Sequence, residues 1–209
     1  MKNVIELNHP LIEHKLAILR DKNTGTKEFR ELIKEIGMFL CYEAMSDVKL
    51  EETTIETPIT SYKTGKLNED SYAFVPILRA GMGMLDGVIS VIPNAKIGHV
   101  GMYRDEKTFK PVNYFFKVPK GIENREVIIL DPMLATGGSA LDAIELLKSK
   151  GVKKIKFLCI IAAPDGLEAV TNKYPDVKIY CAHIDEKLNE NKYIVPGLGD
   201  AGDRIFGTK

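Results

Sequence analysis

One stretch, residues 126–140, constrains the fold of this chain more than any other. Its letters, EVIILDPMLATGGSA, run from an aliphatic segment through Asp131 to a Thr-Gly-Gly-Ser turn. The aliphatic run predicts a buried strand, and the apolar spacing at 140, 141, 144 and 147 predicts a helix directly after the turn. A strand, a glycine turn and a helix start in this order favour an α/β fold with an anion site at the helix N-terminus.

The turn has the composition of a phosphate site. Backbone N–H groups in the first turn of a helix lack intrahelical acceptors and point towards a ligand. Gly137 and Gly138 would let the backbone approach an anion, and Thr136 and Ser139 would add hydroxyl donors. Asp131 would repel a phosphate, so we expect it to face hydroxyl groups or a metal. A ribose 5-phosphate meets both needs, with its phosphate in the turn and its 2- and 3-hydroxyls on Asp131.

Other common phosphate loops do not fit this stretch. It lacks the Lys after the second Gly of a Walker-type loop and the G-x-G-x-x-G spacing of a dinucleotide fold. An ordinary strand-to-helix turn is the alternative interpretation, and it would prevail for a bare Thr-Gly-Gly. Four aliphatic residues running into Asp131, five positions before the Thr, favour the phosphate site instead.

The segment VIILDPMLATGGS resembles the phosphoribosyl pyrophosphate (PRPP) motif of type I phosphoribosyltransferases, and its Asp-Pro form resembles the uracil branch of that family. Two more segments, PILRAGMGM at 76–84 and YIVPGLGDAGDRIFGT at 193–208, carry the likeness over nearly the whole chain. The resemblance implies a mainly parallel central sheet flanked by helices, an N-terminal helical segment and a C-terminal base-binding hood. The general motif has a second acidic residue where this chain has Pro132, so Asp131 alone would hold the ribose.

The resemblance also implies site residues. Catalytic roles fall to Arg79, Arg104, Asp131 and Asp200. PRPP would be bound by the residues Arg79, Arg104, Asp131, Pro132, Met133, Leu134, Ala135, Thr136, Gly137, Gly138, Ser139 and Asp200. Uracil would be bound by Ile194, Gly199, Asp200 and Ala201. Mg²⁺ is the implied cofactor, held mainly by PRPP oxygens and water and by no protein ligand directly, in keeping with its reluctance to lose water.

Two arginines lie where strands are predicted to end. Arg79 follows the strand YAFVPIL, and the carboxyl edge of an open α/β sheet is where ligands bind. Its planar donors suit a pyrophosphate, although a surface Arg in a strand–helix turn is an equal alternative from the residues alone. Arg104 opens a polar connector to Pro111, which is either a solvated hairpin loop or, as the resemblance favours, a lid over PRPP. Lys107 and Lys110 in this connector are weaker candidates.

The C-terminal stretch predicts base recognition by the main chain. Its four glycines and Pro196 are too many for a helix or a regular strand, and its apolar residues favour a packed loop over a flexible tail. Glycines let backbone N–H and C=O groups reach a flat ligand. Uracil presents an acceptor, donor, acceptor edge that such groups can match. Cytosine reverses part of this edge, and each buried polar group left unpaired costs about 1–3 kcal/mol.

Composition sets the outer limits. A chain of 209 residues predicts one domain, with a core at about 70–182 and a hood made by 183–209 with N-terminal elements. Zero formal net charge gives no field to attract nucleic acid, and no apolar run approaches the ~20 residues of a membrane span. Cys41, Cys159 and Cys181 are odd in number and widely spaced, which indicates reduced thiols and a cytoplasmic protein. The four histidines show no metal spacing.

Local patterns predict further elements. These are a strand at 4–7, a helix beginning near Pro10, a helix capped by Thr26 and a strand at 53–60 followed by a turn at 63–65. Strands alternating with helices over 72–182 predict a parallel sheet covered on both faces.

The predicted activity is transfer of ribose 5-phosphate from PRPP to uracil N1, giving UMP and diphosphate in pyrimidine salvage. No general base for N1–H stands out. Relatives of this kind imply a homo-oligomer, dimer or higher, and a GTP effector. Two alternatives remain open: a phosphoribosyltransferase that uses hypoxanthine or orotate, and a non-enzymatic regulator that binds pyrimidine-operon RNA. Zero net charge and the lack of a basic, aromatic-rich patch count against the regulator.

Overall fold

The computed structural model describes residues 3–104 and 111–208, without the side chains of 103, 104 and 111–113. The helices are α1 Pro10–Arg20, α2 Thr26–Ala44, α3 Met82–Val91, α4 Gly138–Ser149, α5 Pro164–Lys173 and α6 Ala201–Phe206. The strands are β1 Val4–Glu6, β2 Glu51–Glu56, β3 Ser61–Lys66, β4 Tyr72–Leu78, β5 Lys96–Ile97, β6 His99–Arg104, β7 Pro111–Lys117, β8 Glu126–Leu130, β9 Met133–Leu134, β10 Lys154–Ala162, β11 Lys178–Ile184, β12 Lys187–Leu188 and β13 Ile194–Val195.

The central sheet is mainly parallel. Its strand order is β1-β11-β10-β8-β4-β6-β7, with the short β5 beside β4 and the short β9 beside β10. Only the edge pair β6–β7 is antiparallel among the described strands of this sheet. Because the strands run in one direction, β8 and β4 end at the same edge, with Pro76 opposite Leu130. This architecture confirms the predicted fold class.

Helices cover both faces of the sheet, as predicted. Along β8, Ile128 packs on the side of α1, α2 and α3, whereas Ile129 packs on the side of α4 and α5. Successive residues of a strand face opposite sides, so a strand buried on both faces must be apolar throughout. The aliphatic run before Asp131 meets that requirement, and its four residues are fully buried. The sheet edge that carries Asp131 is thereby fixed between two apolar layers.

Two predictions about the segment 53–65 are wrong. The strand predicted at 53–60 ends at Glu56, and the chain turns at 57–60, where the Thr57 N–H donates to the Thr60 carbonyl at 3.0 Å. Residues 63–65, predicted as the turn, belong to β3. Pro58 suits the second position of a tight turn, and the Thr57 hydroxyl accepts from the N–H groups of Ile59 and Thr60.

Two helix starts also differ. Gly25, with extended backbone, is the N-cap of α2, and Thr26 is the first helical residue. The glycine-rich C-terminal stretch, predicted to hold no helix, contains α6. Asp200 caps this helix by accepting from the Asp203 N–H at 2.9 Å, and Gly207 ends it with a φ of +66°. The glycines of the stretch therefore lie in the loop before this short helix, within it at Gly202 and at its end.

Across the part of the chain that the structure describes, no helix combines the length and apolar character needed to cross a membrane.

Candidate active site

Two strand ends place Arg79 and Asp131 side by side. Arg79 follows β4, and Asp131 follows its neighbour β8. The turn after Arg79 packs on the end of β8, since a Cβ at Gly81 would lie 2.3 Å from the Leu130 carbonyl oxygen. Only a residue without a side chain permits that approach. The two turns therefore meet at the carboxyl edge of the sheet, where ligands bind in open α/β folds.

Arg104 ends β6, the neighbour of β4 on its other side, so its backbone belongs to the same edge. Its side chain lies outside the described residues, as do residues 105–110. The contact of Arg104 with PRPP, the lid, and the roles of Lys107 and Lys110 thus stay predictions.

Asp131 is a half-buried carboxylate with few protein partners. Its N–H donates to the Leu158 carbonyl at 3.1 Å, and its Oδ1 accepts from the Met133 N–H at 3.3 Å. Burial raises the pKa of Asp131 to about 7, and the Met133 N–H partly opposes that rise. Hydroxyl donors on a bound ribose would stabilise the ionised form. The position and chemistry of Asp131 suit the predicted ribose contact.

The Thr-Gly-Gly-Ser turn has the geometry of an anion cradle. Gly137 is the N-cap of α4 with a φ of +83°, a left-handed backbone that favours glycine. A Cβ there would also lie 3.2 Å from the Gly166 carbonyl oxygen. Among the described residues, the N–H groups of 136–139 donate to no protein acceptor. Unpaired donors at a helix N-terminus bind phosphate.

Residues 132–135 hold the cradle against β10 and α5. The Pro132 carbonyl accepts from the Ile160 N–H at 2.9 Å, and the Leu134 carbonyl accepts from the Ala163 N–H at 2.9 Å. β9, which comprises Met133 and Leu134, pairs with β10. Their backbone contacts position the turn, and direct contact of 132–135 with PRPP stays a prediction.

The C-terminal stretch packs on the core, as predicted, although it forms a loop only between β13 and α6. Ile194 lies in β13, and Ile194, Leu198 and Ala201 are buried in the same apolar layer as α2 and α3. Gly197 and Gly199 have φ values of +67° and +81°. Among the described residues, the N–H groups of Gly199 and Asp200 donate to no protein acceptor. This loop therefore presents free main-chain donors on a fixed apolar base.

Arg79 joins the strand edge to the C-terminal stretch. Its side chain is 55% exposed, its Nη2 lies 3.5 Å from Asp203 Oδ1, and its guanidinium stands 5.7 Å from the Phe206 ring. A Cβ at Gly202 would lie 3.8 Å from Arg79 Nη2 and 3.3 Å from Asp200 Oδ1. The structure thus brings Arg79, Asp131 and Asp200 to one end of the sheet.

The described side chains form no cage for a metal at this site. Within the described ranges, no group of three or more His, Cys, Asp and Glu side chains is arranged to hold an ion. Asp131, Asp200 and Asp203 are carboxylates that the described part of the site offers. Such a donor set suits a cation whose other ligands are water and a phosphorylated substrate, as Mg²⁺ prefers.

Sequence comparison decides the family. The family model described as uracil phosphoribosyltransferase matches residues 6–208. The chain is 60% identical to a protein of Clostridium botulinum and 58% identical to one of Clostridium beijerinckii, both named uracil phosphoribosyltransferase and both matched over 100% of each chain. The chain belongs to the uracil phosphoribosyltransferase family. The resemblance of the three segments is thereby confirmed.

Solved structures agree with this family assignment at the level of the fold. A protein of Aquifex aeolicus is 43% identical, covers 99% of each chain and superposes with a TM-score of 0.92. A hypoxanthine-guanine phosphoribosyltransferase of Bacillus anthracis, only 13% identical, covers 77% of this chain and 80% of its own with a TM-score of 0.50. The fold of this uracil phosphoribosyltransferase family member is that of the type I phosphoribosyltransferases.

Sequence reasoning missed several residues around the site. Asp203 and Phe206 hold Arg79, and both lie in the C-terminal segment that carries the resemblance. Arg20 and Asp185 contact each other and Gly197 of the C-terminal stretch, although 165 positions separate the two side chains in sequence. No local spacing signals such a pair, because only the fold brings α1 beside β11.

Proposed function

We propose that this protein transfers ribose 5-phosphate from PRPP to N1 of uracil, giving UMP and diphosphate in pyrimidine salvage. Family membership over residues 6–208 supports the activity. One structural observation supports the placement of the two ends of the substrate: Arg79, at the strand edge that carries Asp131, reaches the C-terminal stretch through Asp203. A substrate with a phosphate at one end and a neutral ring at the other would span that junction.

In this proposal the 5-phosphate lies in the cradle of residues 136–139. The free N–H groups and the two hydroxyls of the turn would bind its oxygens, helped by the partial positive charge of the α4 N-terminus. Asp131, at the end of the neighbouring strand, would accept from the ribose 2- and 3-hydroxyls. The remaining residues of 132–135 would keep the turn in place through their backbone.

The reaction would proceed by positioning and electrostatics. Positive charge develops on the ribosyl centre as the diphosphate leaves, so groups that stabilise the diphosphate lower the barrier. The Arg79 guanidinium lies at that edge of the sheet and would contact the diphosphate, and Arg104 is proposed to supply a second guanidinium. Asp200, exposed beside Arg79, is proposed to act on the PRPP side of the loop.

Mg²⁺ is the proposed cofactor. When bound, it would supply charge neutralisation for the departing diphosphate. PRPP oxygens and water would be its main ligands. A chelator should therefore abolish turnover without unfolding the protein, because no described cluster of side chains depends on the ion.

Uracil is proposed to be read by Ile194, Gly199, Asp200 and Ala201. The free N–H groups of Gly199 and Asp200 would donate to carbonyl oxygens of the ring, and a backbone carbonyl of the loop would accept from N3–H. No charged side chain is needed for such a match. The arrangement favours a neutral base over orotate, which carries an additional carboxylate.

The test is a panel assay. The protein is incubated with PRPP and Mg²⁺ and with uracil, orotate, hypoxanthine, guanine, adenine or no base, and nucleotides are separated by chromatography. We expect UMP from uracil alone. A purine nucleotide or orotidine monophosphate as main product would contradict the choice of base. Absence of every product, together with binding to pyrimidine-operon RNA, would favour the regulator.

The division of the chain into a core and a hood is also proposed. Residues 70–182 would bind PRPP, and 183–209 would form the hood together with N-terminal elements. Contacts of the end of α1 with the C-terminal residues, from Arg20 to the Gly197 carbonyl and from Arg204 to the Asp21 carbonyl, support this division. A GTP effector rests on the resemblance, and adding GTP to the uracil assay tests whether it raises turnover.

We propose a homo-oligomer, at least a dimer. The ribbon of β2 and β3 forms its own two-stranded sheet apart from the central one, and such a ribbon alone is marginally stable in water. Ile59 at its tip is 93% exposed, and Leu50, Ile55 and Tyr62 are exposed too. A groove of about 440 Å³ elsewhere, lined by Leu11, Phe39 and Tyr42 among others, offers a second apolar surface. A second copy of the chain would cover both.

A cytoplasmic location is proposed from the thiols. Cys41, Cys159 and Cys181 are all free and buried. Burial raises the pKa of Cys41 to about 12, which keeps that thiol protonated and unreactive. Unpaired thiols of this kind are typical of a reducing compartment.

A further inference from the structure

A buried ion pair holds the loop that precedes the proposed uracil contacts. Arg20, the last residue of α1, donates from Nη1 to Asp185 Oδ2 at 2.8 Å and from Nη2 to Asp185 Oδ1 at 2.5 Å. The Asp185 side chain is 0% exposed and that of Arg20 is 20% exposed. A two-point contact between a guanidinium and a carboxylate fixes orientation as well as distance.

The same pair engages both polar groups of Gly197. The Gly197 N–H donates to Asp185 Oδ2 at 2.8 Å, and the Gly197 carbonyl accepts from Arg20 Nη1 at 2.7 Å. The N–H and the carbonyl of Gly197, whose φ is +67°, are thus both bonded to charged side chains. Hydrogen bonds to charged groups are stronger than those between neutral ones.

The next residue is held as well. Arg204 donates from Nη1 to the Leu198 carbonyl at 2.7 Å and from Nη2 to the Asp21 carbonyl at 2.6 Å. Its guanidinium stacks 4.2 Å from the Phe29 ring. Arg20 thus anchors Gly197 directly, and Arg204 ties Leu198 to the end of α1. The free N–H groups of Gly199 and Asp200 follow immediately.

We propose that Arg20 and Asp185 are positioning residues for uracil recognition, an inference that rests on the proposed function. The pair fixes where Gly199 and Asp200 point their N–H groups, so the loop meets uracil in a single arrangement. Neither residue contacts the cradle of 136–139 among the described contacts. Loss of the pair should therefore weaken uracil binding and leave PRPP binding intact.

The test measures KM for uracil and KM for PRPP separately in Asp185→Asn and Arg20→Lys. We expect KM for uracil to rise about tenfold or more, because charged hydrogen bonds to the loop are lost, with KM for PRPP within about twofold. Arg20→Lys should be the milder variant, since an ammonium retains the charge but not the fork. The matched control is Lys15→Met, which breaks the Lys15–Glu35 pair that also starts on α1.

A double variant distinguishes loss of the ion pair from general unfolding of the protein. Removing one partner leaves a buried charge unpaired, whereas Arg20→Gln with Asp185→Asn leaves neutral groups. We expect the double variant to remain folded by circular dichroism and still to show the selective rise in KM for uracil. Equal changes in both KM values, or no change in either, would overturn the inference. If the natural protein makes UMP in that experiment, the proposed function stands regardless.

Discussion

Asp131 should destabilise the free protein near and above pH 7, because burial disfavours its charged form when no ligand hydroxyl is bound. The pKa of Asp131 in the folded state, about 7, lies above its ordinary value. Between about pH 4 and pH 7 the carboxyl is therefore protonated in the folded protein and ionised in the unfolded chain. The contribution of this carboxyl to stability is therefore lost as pH rises through that range. Asp131→Asn keeps the shape without the charge.

We expect Asp131→Asn to unfold with a free energy up to about 4 kcal/mol higher than the natural protein at pH 8, and to match it near pH 4. Urea denaturation at the two pH values measures the difference. Asp86→Asn, at an exposed position on α3, is the control. A constant difference between Asp131→Asn and the natural protein at both pH values would show that burial does not disfavour the charge.

Gly197 is a second position where one residue decides the local structure. A Cβ there would lie 2.1 Å from the Ile194 carbonyl oxygen, and its φ of +67° already disfavours any side chain. We expect Gly197→Ala to cost at least about 2 kcal/mol in urea denaturation. Gly25→Ala, where nothing lies within 4 Å of the added Cβ, should cost less than about 1 kcal/mol. Equal costs would contradict the steric account.

At the scale of elements, a substitution in the N-terminal turn of α4 should weaken PRPP binding without lowering the stability of the protein. A Cβ at Gly138 would meet only Thr136 Oγ1, at 3.8 Å, so the free protein has room for it. Gly138→Ala should therefore leave stability unchanged or raise it by about 0.4–1 kcal/mol. The same Cβ would occupy the space in which the proposed 5-phosphate contacts the backbone of residues 136–139.

We expect Gly138→Ala to raise KM for PRPP about tenfold or more and KM for uracil less than about twofold. Steady-state kinetics with each substrate varied in turn gives both values. Ser149→Ala, at the other end of α4, is the control. An unchanged KM for PRPP would place the phosphate outside this turn.

Some elements could be predicted from local sequence patterns, and others could not. The strand before Asp131 and α4 after it could be predicted, because an aliphatic run and a 3.6-residue spacing are local signals. α6 could not, since the four glycines in and around it suggest a loop, and its formation depends on the Asp200 cap and on burial of Ile205. The Arg20–Asp185 pair also escaped prediction, because a contact across 165 positions exists only once the sheet has formed.

At the scale of the whole molecule, the β2–β3 ribbon should be an interface between copies of the chain. We expect the natural protein to have at least the mass of a dimer at micromolar concentration, and Ile59→Asp to shift it towards the monomer. Size-exclusion chromatography with light scattering measures the mass. Lys63→Gln, on the same ribbon but polar, should leave the mass unchanged. A monomeric natural protein would contradict the assignment of this surface.

The central claim concerns the whole site: the phosphate lies at the turn of 136–139, and the base lies against the loop of 194–201. A crystal structure of the protein with UMP tests it most directly. The account predicts phosphate oxygens within hydrogen-bond distance of the N–H groups of 136–139, ribose hydroxyls on Asp131, and the uracil ring on the N–H groups of Gly199 and Asp200. A nucleotide bound elsewhere, or bound with its phosphate at the C-terminal loop, would contradict it.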